Sequence, residues 1–180
     1  MSIPFTRALC FIPVLGLLLG AAHIARAHES EETESAKEKE EGSVLEIGAT
    51  NEWTVRNGSG ANAGASVGWE LTVIPEWLKV EVGGDALVTS GTNALSGVVI
   101  FKVPYELSPT TELMVGAGPK WTRKLNGPDQ GWYSGAEVDV DFMFWPRKDL
   151  GWYVQPDWSA VPRTGEQSVG ITVGLLIRVP

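Results

Sequence analysis

The final stretch of this chain alternates apolar residues with polar or small ones, position by position. The apolar set is Val169, Ile171, Val173, Leu175, Ile177 and Val179. The residues between them are polar or small, with Leu176 as the exception. A repeat of two residues is typical of a β-strand that has two chemically different faces. Because the same alternation recurs in several runs from residue 44 onward, the sequence predicts an all-β fold.

Turn residues divide this region into eight predicted strands. The strands are expected at 44–55, 64–74, 77–87, 96–104, 111–123, 132–145, 151–160 and 167–179. Short proline-containing turns alternate with longer glycine- and asparagine-rich loops; the turns are 75–76, 104–109 and 146–150, and the loops are 57–62, 90–93, 125–129 and 162–165. Proline cannot donate to a β-ladder, and glycine tolerates positive φ, so both mark connections. Such short connections predict an antiparallel up-and-down meander.

The first 43 residues differ from the rest in composition. Residues 1–27 contain an apolar run, 8–22, followed by the small-x-small sequence Ala25-Arg26-Ala27, which predicts a cleaved secretory signal peptide. Residues 28–43 contain seven glutamates and no aromatic residue, which predicts a disordered acidic leader. The predicted organisation is therefore signal, acidic leader and a barrel at 44–180.

Two kinds of barrel share this alternation, and they differ in which face is buried. The face opposite the apolar one combines glycines with long charged side chains, as a narrow barrel interior requires. Aromatic residues cluster near strand ends: Trp53, Trp121, Trp132, Tyr133 and Trp158 toward the loops, and Trp77, Tyr105, Trp145 and Trp152 toward the proline turns. Two aromatic girdles are typical of transmembrane β-barrels. We therefore expect an eight-stranded transmembrane barrel in the outer membrane, with a soluble periplasmic barrel for a small apolar ligand as the alternative.

Four segments resemble an uncharacterised group of small eight-stranded outer-membrane β-barrel proteins of Gram-negative bacteria. They are residues 115–121 (VGAGPKW), 141–146 (DFMFWP), 151–156 (GWYVQP) and 166–171 (EQSVGI). The resemblance implies a membrane barrel with outer-membrane lipid as its surroundings, and it brings no known activity. Barrels of the wider class usually end on an aromatic residue, whereas this sequence ends Val179-Pro180.

Composition argues against most other functions. The chain contains two histidines and one cysteine, and all three lie before residue 29, so the predicted barrel has no neutral-pH base and no thiol. Serine catalysis needs such a base, and we therefore predict no enzyme activity and no cofactor. The formal charge of −8 at pH 7 makes nucleic acid a poor partner. Protein partners cannot be read from the sequence.

The strongest charged pattern is a row of three carboxylates, Glu137, Asp139 and Asp141, on the sixth predicted strand. Residues two apart share one face, at a spacing of about 6.6 Å. Four basic residues are candidate partners inside the barrel: Lys79, Lys102, Lys120 and Arg178. One hypothesis is a salt-bridge network that fills the interior of a structural or loop-presenting barrel. The other is a barrel that handles or senses cations, with weak divalent cation binding through the carboxylates; no metal ligand is assigned.

Overall fold

The computed structural model describes residues 42–58, 60–88, 93–126 and 130–179. The predicted signal peptide, and the acidic leader up to residue 41, lie outside these residues. Eight strands are present: β1 Ser43–Arg56, β2 Gly60–Ile74, β3 Leu78–Val88, β4 Asn93–Ser108, β5 Thr111–Lys124, β6 Gly131–Phe144, β7 Leu150–Val161 and β8 Glu166–Val179. In the described part of the chain, no helix has the length and apolar character needed to cross a bilayer.

The strands form one closed antiparallel barrel in chain order. Each strand pairs with its neighbours in sequence, and β1 pairs with β8 from Ser43–Val179 to Arg56–Gln167. Proline turns and glycine loops lie at opposite ends of the barrel because the strands alternate in direction. The predicted eight-stranded meander barrel is confirmed.

Two predicted connections are shorter in the structure than in the sequence-based prediction. The loop at 57–62 was placed too long, because β2 already begins at Gly60. The turn at 104–109 was also placed too long, because β4 continues through Pro104 to Ser108. Pairing between β3 and β4 ends at Lys79–Lys102, so β4 beyond that point pairs only with β5. Proline is tolerated where one side of a strand needs no ladder hydrogen bond.

Two further prolines inside strands coincide with gaps in the ladder. Pairing of β4 with β5 passes from Val98–Lys120 directly to Phe101–Ala117, which omits Pro119. Pairing of β6 with β7 passes from Asp139–Asp157 directly to Phe142–Val154, which omits Pro156. A proline without an N–H group accounts for each interruption. Both prolines still pair on their other side.

The predicted apolar face points out of the barrel. Large apolar side chains stay exposed along the strands, including Ile47 (48 %), Val67 (54 %), Val82 (53 %), Phe101 (51 %) and Leu175 (53 %). Soluble proteins rarely expose so continuous an apolar surface. In β4, which is apolar on both faces, Ile100 and Lys102 are fully buried while Phe101 faces outward.

An apolar cluster fills the interior near the proline turns. It consists of Val44, Met114, Met143, Tyr153 and Leu176, with Trp145 packed against it. Leu176 breaks the alternation of β8 because it belongs to this cluster. Two girdle assignments are therefore wrong: Trp145 packs against the interior cluster, and Tyr133 lines a cavity at the loop end. Trp53, Trp121 and Trp132 at the loop end remain exposed, as do Trp77 and Trp152 at the turn end.

Candidate functional site: the charged barrel interior

Charged side chains occupy much of the interior, from the proline-turn end beside the apolar cluster to the glycine loops. They group around three lysines, which we name as tiers. The turn-end tier is Lys79 with Glu70 and Glu112; the central tier is Lys102 with Glu46, Glu81, Asp139 and Asp141; the loop-side tier is Lys120 with Glu52, Asp85, Glu137 and Asp157. The charged residues come from every strand except β8, because inward positions recur at every second residue.

The turn-end tier is a chain of two ion pairs. Lys79 Nζ lies 2.6 Å from Glu112 Oε1 and 3.3 Å from Glu70 Oε1. Glu70 is buried, whereas Glu112 and Lys79 keep some solvent contact. Lys79 and Glu70 lie on the neighbouring strands β3 and β2, and Glu112 lies on β5, so this tier connects two strands that do not pair with each other.

The central tier is the most completely buried group of charges. Lys102 Nζ contacts Asp141 Oδ2 at 2.5 Å and also contacts Glu81 Oε2. Asp139 accepts a hydrogen bond from Gln155 Nε2 at 3.2 Å. Glu46 is 1 % exposed and lies within electrostatic range of Lys102. Removing one partner of such a buried pair typically costs about 3–5 kcal/mol, because the remaining charge is left uncompensated.

The loop-side tier is less tightly enclosed. Lys120 Nζ lies 2.7 Å from Glu137 Oε2 and 3.4 Å from Glu52 Oε2. Asp85 and Asp157 lie within electrostatic range of the same ammonium group. Nearer the loops, Lys124 Nζ and Glu166 Oε2 form a further pair at 2.9 Å.

Glycine makes room for the central tier. Gly116 of β5 is in register with Lys102 of β4 on one side and Asp139 of β6 on the other. A Cβ atom at Gly116 would lie 2.4 Å from Asp139 Oδ1, 2.4 Å from Ile100 Cγ2 and 2.8 Å from Lys102 Cγ. The absence of a side chain at this position therefore lets both charged groups fold over β5 into the interior.

Two adjacent cavities lie on the glycine-loop side of the central tier. The outer cavity, of about 370 Å³, lies at the glycine-loop end, and its lining includes Lys124, Tyr133 and Glu166. The inner cavity, of about 40 Å³, is lined by Glu81 of the central tier and by loop-side residues. Glu52 and Lys120 line both cavities, so the two are adjacent. The apolar cluster fills the interior on the other side of the central tier.

The structure divides the predicted carboxylate row between two lysines. Glu137 pairs with Lys120, and Asp141 pairs with Lys102. Lys79 pairs with acids on other strands. The guanidinium of Arg178 instead lies 4.6 Å from the ring centroid of Trp145.

Several interior residues had no assigned role in the sequence analysis. They are Glu46, Glu52, Glu70, Glu81, Glu112, Gln155 and the Lys124–Glu166 pair. Alternation already assigned most of these positions to the inner face. Their partners depend on the register between strands, which alternation does not determine.

Comparison with known proteins shows the fold but no sequence family. No protein-family model matches the chain, and no curated protein matches its sequence. Neisserial surface protein A has a similar structure, with a TM-score of 0.63, 11 % identity, and coverage of 75 % of this chain and 96 % of its own. Ail of Yersinia pestis matches with a TM-score of 0.55 and 11 % identity, over 77 % of this chain and 98 % of its own. The N-terminal β-barrel domain of Pseudomonas aeruginosa OprF matches with a TM-score of 0.54 and 14 % identity, over 74 % of this chain and 97 % of its own. These are small eight-stranded outer-membrane barrels, and this chain has their fold.

Proposed function

We propose that this protein is a non-enzymatic outer-membrane β-barrel, structural or loop-presenting, with a charged and largely filled interior. The observation that supports this proposal is which residues face outward from the barrel and which face inward. Apolar side chains about half exposed cover the outside, whereas lysines, glutamates and aspartates are buried inside. Water outside and apolar packing inside would stabilise the reverse arrangement, so this distribution fits a lipid environment.

The interior supports a filled barrel rather than an open pore or an apolar ligand pocket. Side chains normally fill an eight-stranded barrel. Here the apolar cluster and one ion-paired tier occupy the turn end, and the other two tiers fill the interior from the middle toward the loops. A small apolar ligand would have to displace paired charges, which disfavours the soluble lipid-binding alternative.

The orientation proposed here places the glycine loops outside the cell and the acidic leader in the periplasm. An even number of strands puts both ends of the barrel on one side, and Ser43 indeed pairs with Val179. The longer connections of bacterial outer-membrane barrels face outward, and their short turns face the periplasm. Here the shorter connections include the turns at 75–77 and 109–110. Surface presentation would then fall to the loops at the open end of the outer cavity.

Membrane fractionation combined with gel mobility tests this proposal. We expect the protein in the outer-membrane fraction, and we expect it to migrate faster before boiling than after, because the folded barrel stays compact in detergent. A matched sample carrying Val67→Arg, which places a charge on the exposed apolar face, should lose the compact band. Recovery of the folded parent protein in the soluble periplasmic fraction without detergent would reject the proposal.

A further inference from the structure

The central tier holds four carboxylates and one ammonium group in a space that excludes water. Glu46, Asp139, Asp141 and Lys102 are each at most 1 % exposed, and Glu81 is 6 % exposed. Lys102 contacts only two of the four carboxylates within ion-pair distance. An uncompensated buried charge costs several kcal/mol. The tier therefore needs either further positive charge or protonation of some of its carboxylates.

Three of these carboxylates already converge as ligands would. One oxygen from each of Glu81, Asp139 and Asp141 lies within 4.8 Å of the other two. Oxygen atoms on opposite sides of a bound Ca²⁺ are separated by about twice 2.3–2.6 Å, whereas Mg²⁺ draws them to about twice 2.0–2.1 Å. Pairwise separations below 4.8 Å accommodate either ion, so the cluster fits a hard divalent cation such as Ca²⁺ or Mg²⁺. A site with only oxygen donors also favours hard cations over Zn²⁺ or copper.

A second observation points to a missing partner at this cluster. Asp139 is 1 % exposed, and none of the described residues donates a hydrogen bond to its Oδ1 atom. Gln155 donates to the other oxygen, Oδ2. Glu46 is equally buried, and its Oε1 atom likewise accepts no hydrogen bond within the described part of the chain. Buried acceptors are rarely left without a partner.

The two cavities provide a route to the cluster from the glycine-loop side. Glu81 lines the inner cavity, which adjoins the outer cavity through Glu52 and Lys120. Acidic side chains, including Asp85 and Asp157, line the inner cavity and would attract a cation. The apolar cluster and the turn-end tier both lie on the proline-turn side of the central tier.

We propose that the central tier is a binding site for one hard divalent cation, with Ca²⁺ as the probe that tests it. Glu81, Asp139 and Asp141 supply the converging oxygen ligands, and Glu46 supplies additional negative charge. Lys102 shares Glu81 and Asp141 with the ion, and it therefore weakens cation binding while it balances part of the charge. This site goes beyond the proposed role of the barrel and does not depend on what its loops present.

The test uses the full chain folded in detergent micelles and stripped of divalent cations with a chelator. Its thermal unfolding midpoint is measured against added CaCl₂ at constant ionic strength maintained with KCl. We expect a saturable rise in the parent protein, because a ligand that binds only the folded state stabilises it. Asp139→Asn should abolish the rise. Glu166→Gln, which alters a paired acid near the loops, should retain it.

Lys102→Met distinguishes a cation site from a purely structural network. If the tier binds Ca²⁺, this variant should be less stable than the parent without Ca²⁺ and should gain more from its addition. A variant that is destabilised equally with and without Ca²⁺ would support the structural network and reject the site.

Direct binding to the parent protein decides the question even if a variant fails to fold. Equilibrium dialysis with radioactive Ca²⁺, against a detergent-only blank, should give one bound ion per chain. No retained Ca²⁺ would overturn the proposal, and so would an Asp139→Asn variant that binds as tightly as the parent. The outcome is separable from membrane localisation, since a soluble barrel with the same interior would still bind the ion.

Discussion

Replacement of Gly116 by alanine tests whether the interior charges depend on a glycine between them. Gly116 lies in register between Lys102 and Asp139, where an added Cβ would meet Asp139 Oδ1 and Ile100 Cγ2 at 2.4 Å. The carboxylate oxygen is the end of a short side chain and can rotate away. The Ile100 methyl group is attached at a branched carbon and is fully buried, so it has little freedom to move.

The expected cost follows from these contacts. Overpacking a filled interior costs roughly 1–3 kcal/mol, and replacing glycine by alanine in a strand returns about 0.5–1 kcal/mol of backbone entropy. We therefore expect Gly116→Ala to lower the free energy of unfolding by about 1–2 kcal/mol. Gly97→Ala is the matched control, because its Cβ would meet nothing closer than Gly83 O at 4.0 Å. It should be neutral or slightly stabilising.

Reversible urea unfolding in detergent micelles, read from the heat-sensitive shift in gel mobility, gives both free energies. Gly116→Ala should unfold at lower urea than the parent protein, and Gly97→Ala should not. If the two variants unfold at the same urea concentration, or if Gly116→Ala is the more stable, the interior is not packed as described here and the reasoning fails.

Three further predictions concern the lipid face, the orientation and the loop-side tier. Val140→Arg should lower the free energy of unfolding in lipid vesicles by roughly 2–4 kcal/mol, since a charge would enter the apolar face near mid-membrane; normal folding would contradict this. An epitope inserted at Asn126 should be labelled on intact cells and one at Lys148 should not, whereas the opposite labelling would reverse the orientation. Lys120→Met should lower the unfolding midpoint more than Lys124→Met, because Lys120 neutralises two nearly buried carboxylates and Lys124 only one at the loop end. Equal midpoints would argue against the loop-side tier.

Alternation was sufficient to predict the strands, their order and which face of each is apolar. Those features depend on residues within one strand or one turn, and the interruption at Leu176 was visible in the sequence. The sequence predicts a turn at Pro104, because a proline inside a strand is unusual. The structure shows that pairing between β3 and β4 ends at Lys102, so the missing N–H group of Pro104 costs no hydrogen bond to β3.

The partners of the interior charges were much less predictable. The three acids of β6 were recognisable as a row, but Glu137 pairs with Lys120 and Asp141 with Lys102. This choice depends on how far each strand is shifted against its neighbour and on contacts across the barrel. Lys120 and Glu52, for example, lie 68 positions apart in sequence and on strands that do not pair with each other. No pattern within a single strand contains that information.

The tiers constrain how the barrel can enter a bilayer. Lys102 on β4 and Lys120 on β5 each have one partner on a neighbouring strand. Their second partners, Asp141 on β6 and Glu52 on β1, lie on strands that do not pair with them, so these contacts depend on the curved, closed barrel. A partly assembled sheet would carry the same carboxylates and ammonium groups on an open surface together with two unpaired edges. Hydrocarbon tolerates neither charges nor unpaired backbone groups. We therefore expect that the barrel does not enter hydrocarbon while β1 and β8 are still unpaired.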